Sequence, residues 1–172
     1  MRDLRELAGR ELIWRRLSTF SRSYELAAAG EVAVTARATG FTGRSATIHT
    51  ADGTWTTRPP HLLSRSLLVQ DASGAQIARF TPQIVRRAGL LRFTSGESYR
   101  WTTTWFGRSA QLLTPAGSPI LTIKSQWPSL REIARVVIEP AGTAERRLGM
   151  LTALTFLILM NRRRAAAAAA SG

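Results

Sequence analysis

The chain has 172 residues, 44% of them apolar, no cysteine and a formal net charge of +13. That length and apolar content suit one domain with one sizeable core and exclude a disordered chain, and the lack of cysteine excludes disulfides and thiolate metal sites. The charge, with a pI of about 11.8, is the kind that attracts nucleic acid or an anionic membrane surface, but 23 of the 24 basic residues are Arg, Lys124 being the exception, beside abundant Ala and Gly, so a coding bias competes as its source.

Residues 1–9 read as a lead-in. The stretch "MRDLRELAGRELIWRR" is charged throughout and holds no apolar run, so it has no signal-peptide pattern, and the expected compartment is the cytosol. A first strand is expected over 10–16, "RELIWRR".

A repeat begins next. Arg-Ser occurs at Arg22, Arg44, Arg65 and Arg108, at separations of 22, 21 and 43 residues. The last gap is two periods, which places further units at Arg87 and Arg131. Glycine follows each arginine, at Gly30, Gly53, Gly74, Gly96, Gly117 and Gly142, in clusters such as "TADGT" and "DASGA". Glycine takes the positive φ that tight β-turns require, so these clusters mark hairpins. A leucine-rich repeat has a similar period, but its spaced leucines and asparagine are missing.

The flanking runs alternate with period two. Tyr99, Trp101, Thr103 and Trp105 share one face, with Ser98, Arg100, Thr102 and Thr104 on the other. The reading is five hairpins, at about 22–38, 44–58, 65–81, 87–104 and 108–124, and a last strand at 131–138. With 10–16 this makes twelve strands in simple succession. A sheet of that size has two aggregation-prone edges, which closure into a barrel removes.

Such a barrel is too wide for side chains alone to fill. The filler is "TAERRLGMLTALTFLILMNRRR", whose centre from Leu148 to Met160 carries no charge. As a helix over about 143–161 it is apolar all round and belongs inside the barrel, with Thr143 as N-cap and Glu145 in the first turn. The rival reading is a membrane anchor, but the uncharged run spans only about 20 Å against the roughly 30 Å of a hydrocarbon core. Residues 162–172 read as a basic and then Ala-rich flexible tail. The domain organisation is therefore a lead-in over 1–9, a single barrel domain over 10–161 and this tail.

A closed 12-stranded antiparallel barrel around one buried hydrophobic C-terminal helix resembles the tubby C-terminal domain fold, shared with phospholipid scramblases and plant LURP-one-related proteins. The phrases "YELAAAGEVAVTAR", "ATIHTADGTWTTR" and "QDASGAQIARF" are similar to small bacterial-type members of that superfamily. The resemblance covers about 10–161 and rests on strand order, hairpin period and terminal helix. It implies lipid-headgroup or membrane-surface chemistry for some members. It carries over no functional residue, because no catalytic or ligand motif matches.

Equal hairpins place equivalent residues at one height. Arg22, Arg44, Arg65, Arg87, Arg108 and Arg131 are therefore expected along one rim, opposite the glycine turns, with Arg58 and Arg86 nearby. The helix, running back through the barrel, is expected to deliver Arg162, Arg163 and Arg164 to the same rim. Glu31, Asp52, Asp71, Glu97 and Glu139 collect at the other, more acidic end. Arginine forks match phosphate geometry, so the rim is a candidate anionic-headgroup site. The competing reading is a solvated rim whose arginines pair with neighbouring carboxylates and complement the helix dipole.

Trp55, Tyr99, Trp101, Trp105 and Trp127 could stack on bases, but their alternation assigns them to the barrel interior. No recognition helix, RNP-like motif or zinc finger is written in the chain, so nucleic acid is not the expected partner. His49 and His61 have no companion at ligand spacing, and neither a P-loop, a G-x-G-x-x-G nor a G-x-S-x-G is present. No enzyme activity, metal or cofactor is expected. The loop "TRPPHLLSR", Thr57 to Arg65, offers two leucines that either dip into a membrane or partner, or fold over the barrel mouth. The function expected is a non-enzymatic, cytosolic, peripheral membrane module that binds anionic phospholipid through its arginine rim. The alternatives are a structural or protein-interaction barrel whose charge is compositional, and weak non-specific nucleic-acid binding.

Overall fold

Alternating burial is the rule that builds the wall of this molecule. In the strand Ser98–Thr103, for example, Tyr99 and Trp101 are buried and Arg100 is exposed. A computed structural model describes residues 1–18, 21–40, 43–83, 87–104, 107–126 and 132–170. Within them the strands are β1 (Leu12–Arg16), β2 (Ser23–Ala28), β3 (Glu31–Thr39), β4 (Ser45–Thr50), β5 (Gly53–Arg58) and β6 (Leu67–Gln70). They continue as β7 (Gln76–Gln83), β8 (Ala88–Phe93), β9 (Ser98–Thr103), β10 (Ser109–Leu113), β11 (Pro119–Ser125) and β12 (Glu132–Ile138).

Each strand pairs antiparallel with its neighbours in sequence, and β1 pairs with β12 through Leu12↔Val136, Ile13↔Arg135 and Trp14↔Ala134. The barrel is thus closed, and among the described residues no strand presents an open edge. The twelve-strand expectation holds, with strands a few residues shorter than the hairpin spans. The tight turns form as their glycines require. Between β2 and β3, Ala29 and Gly30 have φ of 48° and 87°, the two positive values of a type I′ hairpin.

The last helix, α1 (Leu148–Ala170), enters from the turn end and runs through the barrel. Every residue from Leu148 to Leu159 is buried. Phe156 stacks on Trp14 at 4.3 Å between ring centroids and meets Tyr24 edge-on at 5.2 Å. Thr152 and Thr155, also buried, donate their hydroxyls to the carbonyls of Leu148 (2.7 Å) and Leu151 (2.8 Å), so the core holds no stranded hydroxyl there. Among the described residues no helix is long and apolar enough to cross a membrane.

Two expectations are corrected. The helix starts at Leu148, not near 143, because Pro140–Gly142 form a 3-10 turn first, and Thr143 donates its Oγ1 hydrogen to the Pro140 carbonyl instead of capping α1. Glu145 accepts a hydrogen bond from the Arg147 backbone N–H just ahead of the helix, and another from the Tyr99 hydroxyl at 2.7 Å. At the other end α1 continues past 161 to Ala170, with Ala165–Ala170 exposed; alanine has the highest helix propensity, and nothing in the tract stops the turn. The lead-in also has structure. Leu4–Leu7 form a 3-10 turn capped by Asp3, and Leu4 and Leu7 are buried against the core.

Candidate functional site: an arginine-lined cavity at the barrel rim

The strand directions fix where the repeat arginines stand. Arg22, Arg44, Arg87 and Arg108 immediately precede β2, β4, β8 and β10, and Arg65 lies two residues before β6. All five therefore sit at the end of the barrel away from the tight glycine turns. The helix climbs to this same end. Arg164 donates to the Gly43 carbonyl (3.2 Å) and the Tyr24 hydroxyl (2.8 Å), and Arg163 to the Ser125 hydroxyl (2.5 Å).

A cavity of about 1040 Å³ opens at this rim. Six of the nine candidate arginines line it: Arg44, Arg65, Arg87, Arg162, Arg163 and Arg164. No Asp or Glu is among its described lining residues. Arg22 stands beside it, its guanidinium close to Gly43 on the side where Arg164 also approaches. Arg108 is exposed on the rim without lining the cavity. Arg131, and with it Arg86, Trp105 and Trp127, lies outside the described residues.

The six arginines do two different jobs. Arg44 donates to the Leu62 carbonyl (3.0 Å) and to the Ser64 carbonyl, so it pins the loop before β6. Arg163 and Arg164 tie the end of the helix to the barrel. Arg162 instead lies over the Trp101 ring, 5.0 Å from its centroid. Burial, and then the positive charges of Arg87 and Arg65, pull its pKa below the ordinary arginine value. These are like charges held close enough to repel. Arg87 also holds φ at 48°, a left-handed conformation that costs a residue with a side chain on the order of 1 kcal/mol.

The wall beneath is apolar. A Cβ on Gly89 would overlap the Phe80 ring, so the glycine lets Phe80 pack close against β8. Phe80 meets Trp101 edge-on at 6.1 Å, and Trp101 in turn supports Arg162. Leu67, Phe80, Pro82 and Ile158 line the cavity alongside the arginines. At its lip, Leu62 and Leu63 are 81% and 90% exposed, so the leucines of the "TRPPHLLSR" loop stand out in solvent.

Six of the nine arginines expected at the rim line this cavity, and the apolar wall beneath them was not expected. The signal was inward parity at strand ends, since Ala78, Phe80 and Pro82 alternate with Arg79 and Thr81. The interior assignment of Trp55, Tyr99 and Trp101 holds, as all three are buried. His49 hydrogen-bonds Thr54 through Nδ1 (2.9 Å) and His61 is exposed; among the described residues no cluster of three or more His, Cys, Asp or Glu side chains is placed to hold a metal ion.

At the more acidic turn end, three of the expected carboxylates meet arginines. Glu31 meets Arg2 (3.6 Å) and Arg10 (3.4 Å), Asp52 meets Arg5 (3.8 Å), and Glu97 meets Arg147 (2.7 Å). Arginines from the lead-in and from the approach to the helix thus offset the turn carboxylates. Hydrogen bonds from Ser95 and Arg147 hold the Glu97 carboxyl below its ordinary pKa, and that from Arg5 does the same for Asp3. Burial, then the nearby Asp3 charge, raises Asp52.

No family model and no curated protein matches the chain. A solved X-ray structure of an Arabidopsis thaliana protein is similar over 90% of this chain and 92% of its own, with 9% sequence identity and a TM-score of 0.39. No residue role is transferred from it.

Proposed function

We propose that this protein is a non-enzymatic binding module that docks on anionic phospholipid surfaces through its arginine rim. The observation that carries the reading is the cavity: six arginines around one opening with no carboxylate among its described lining residues. An ion-pair lattice would intersperse both signs, whereas a site for an anion leaves one sign concentrated. The leucines favour a membrane over a soluble polyanion. Leu17, Leu62 and Leu63, 58%, 81% and 90% exposed, all stand at the rim end, where they would enter the headgroup layer beside the arginines. Near an anionic leaflet each arginine contributes on the order of 1 kcal/mol, screened by salt. The strand order and central helix support placing the chain in the tubby-like superfamily, in keeping with this reading.

Vesicle sedimentation tests it. Anionic vesicles at low salt should retain the protein, and neutral ones should not. Retention should fall as salt rises. Equal recovery from both vesicle types would reject the proposal.

A second reading has its own support. Arg37, Arg79, Arg92, Arg100 and Arg135 are exposed on the outer wall of the barrel, away from the rim cavity. This scatter fits a structural or protein-interaction barrel with compositional charge. There the double variant Arg65→Gln, Arg162→Gln should bind vesicles as the parent chain does. Random single-stranded DNA at about 50 mM salt separates out the phosphate-driven alternative, since a nucleic-acid binder would form a complex there.

A further inference from the structure

We infer that the rim cavity is a pocket for one molecule of a single-chain amphiphile, its anionic head held by Arg65, Arg87 and Arg162 and its hydrocarbon chain lying against Leu67, Phe80, Pro82 and Ile158. The inference rests on the reading of the rim as anion-binding. It goes beyond surface docking in requiring one discrete, saturable site with a preferred chain length.

Three features point there together. First, the cavity's volume of about 1040 Å³ stands at the upper end of the range for small-molecule sites. Second, three arginines line the cavity beside its apolar wall. Arg162 rests over the Trp101 ring and shares its space with the charges of Arg87 and Arg65. A carboxylate or phosphate among these three turns their repulsion into attraction. Arg87 occupies this place in a strained backbone conformation that glycine would adopt without cost.

Third, the two surfaces of the cavity demand two different parts of one ligand. A bare phosphate would satisfy the guanidinium groups and leave the Leu67–Phe80–Ile158 wall in water. A neutral hydrocarbon would cover the wall and do nothing for the charges, and a cation would be repelled. An anionic head joined to one alkyl chain answers both, and the exposed Leu62 and Leu63 extend the apolar path outward from the lip.

The test is titration calorimetry with alkyl phosphates of increasing chain length, each kept below its micelle concentration. Hexyl, octyl and decyl phosphate should bind with one-to-one stoichiometry. Affinity should rise by up to about fourfold per buried methylene, and then level off once the chain outgrows the pocket. Inorganic phosphate should bind far more weakly, and octyl glucoside, which is neutral, should not bind. Arg65→Gln, at an exposed position, should weaken octyl phosphate at least tenfold with an unchanged unfolding midpoint, and Leu62→Ser with Leu63→Ser should make the series level off at a shorter chain. Affinity independent of chain length overturns the apolar half of the inference. Equal binding of octyl glucoside overturns the arginine half. If anionic vesicles retain the protein and no alkyl phosphate binds, the pocket fails and the docking surface stands. If alkyl phosphates bind and vesicles do not, the reverse holds.

Discussion

The two ends of the barrel carry the same residue type to opposite effect. At the turn end, Arg2, Arg5, Arg10 and Arg147 each meet a carboxylate, and Leu4 and Leu7 are buried in the core. At the rim, arginines surround an open cavity whose described lining contains no carboxylate, and leucines face solvent. One end is packed and neutralised, and the other is left open and charged. The difference teaches that the +13 charge of the chain is not a uniform coat. Carboxylate-paired arginines stand at one end of the central helix and arginines around a cavity without described carboxylates at the other.

The largest expected effect tests the element that joins the ends. Phe156→Ala removes a ring stacked on Trp14 and edge-on to Tyr24 in the core and should destabilise by about 3–5 kcal/mol in urea denaturation. A loss below about 1 kcal/mol would mean the helix does not fill the barrel. Next, Gly142→Ala probes the packed end alone. Its Cβ would overlap the Ile120 carbonyl, and the expected loss is about 1–3 kcal/mol with rim binding unaffected.

Arg87→Gly should move stability and binding in opposite directions. Relief of the left-handed strain should stabilise the fold by about 0.5–1 kcal/mol, while anion binding weakens. Gain in both properties would remove Arg87 from the proposed site. Arg65→Gln should change stability by less than about 0.5 kcal/mol, because the side chain is exposed. A greater loss would mark the rim as a structural element like the turn end.

The smallest effect distinguishes the ends by pH. Glu97 has a folded pKa below its ordinary value, chiefly through Ser95 and then Arg147. The folded state then binds fewer protons than the unfolded one, so this contribution is present above the ordinary glutamate pKa of about 4.3 and lost as pH falls through the folded value. Stability should therefore decline on the acid side, and Glu97→Gln should shallow that decline. Guanidinium groups hold their charge across the same range, so octyl phosphate binding should follow only the ligand's own ionisation between pH 6 and 9.

Much of this was legible along the chain. Alternation in segments such as Ser98–Thr103 and turn glycines such as Gly30 are local signals, which is why twelve strands could be counted. The start of α1 was less legible. Thr143 has the chemistry of an N-cap, but Pro140 ahead of it favours a 3-10 turn, and the backbone used Thr143 there. The buried lead-in leucines were missed because one turn of spacing, Leu4 to Leu7, is too short a pattern to separate from chance.

The amino-acid order by itself determined the number of strands, their succession and the presence of an apolar plug, since each follows from period-two alternation, glycine turns and an uncharged run read over neighbouring residues. Only the tertiary structure decided that Arg65, Arg87 and Arg162 share one cavity over Phe80 and Ile158. That convergence depends on how far the barrel curves between β6 and β8 and on the angle at which α1 presents its last turns. Both are set by packing between segments distant in sequence, and no local pattern records them.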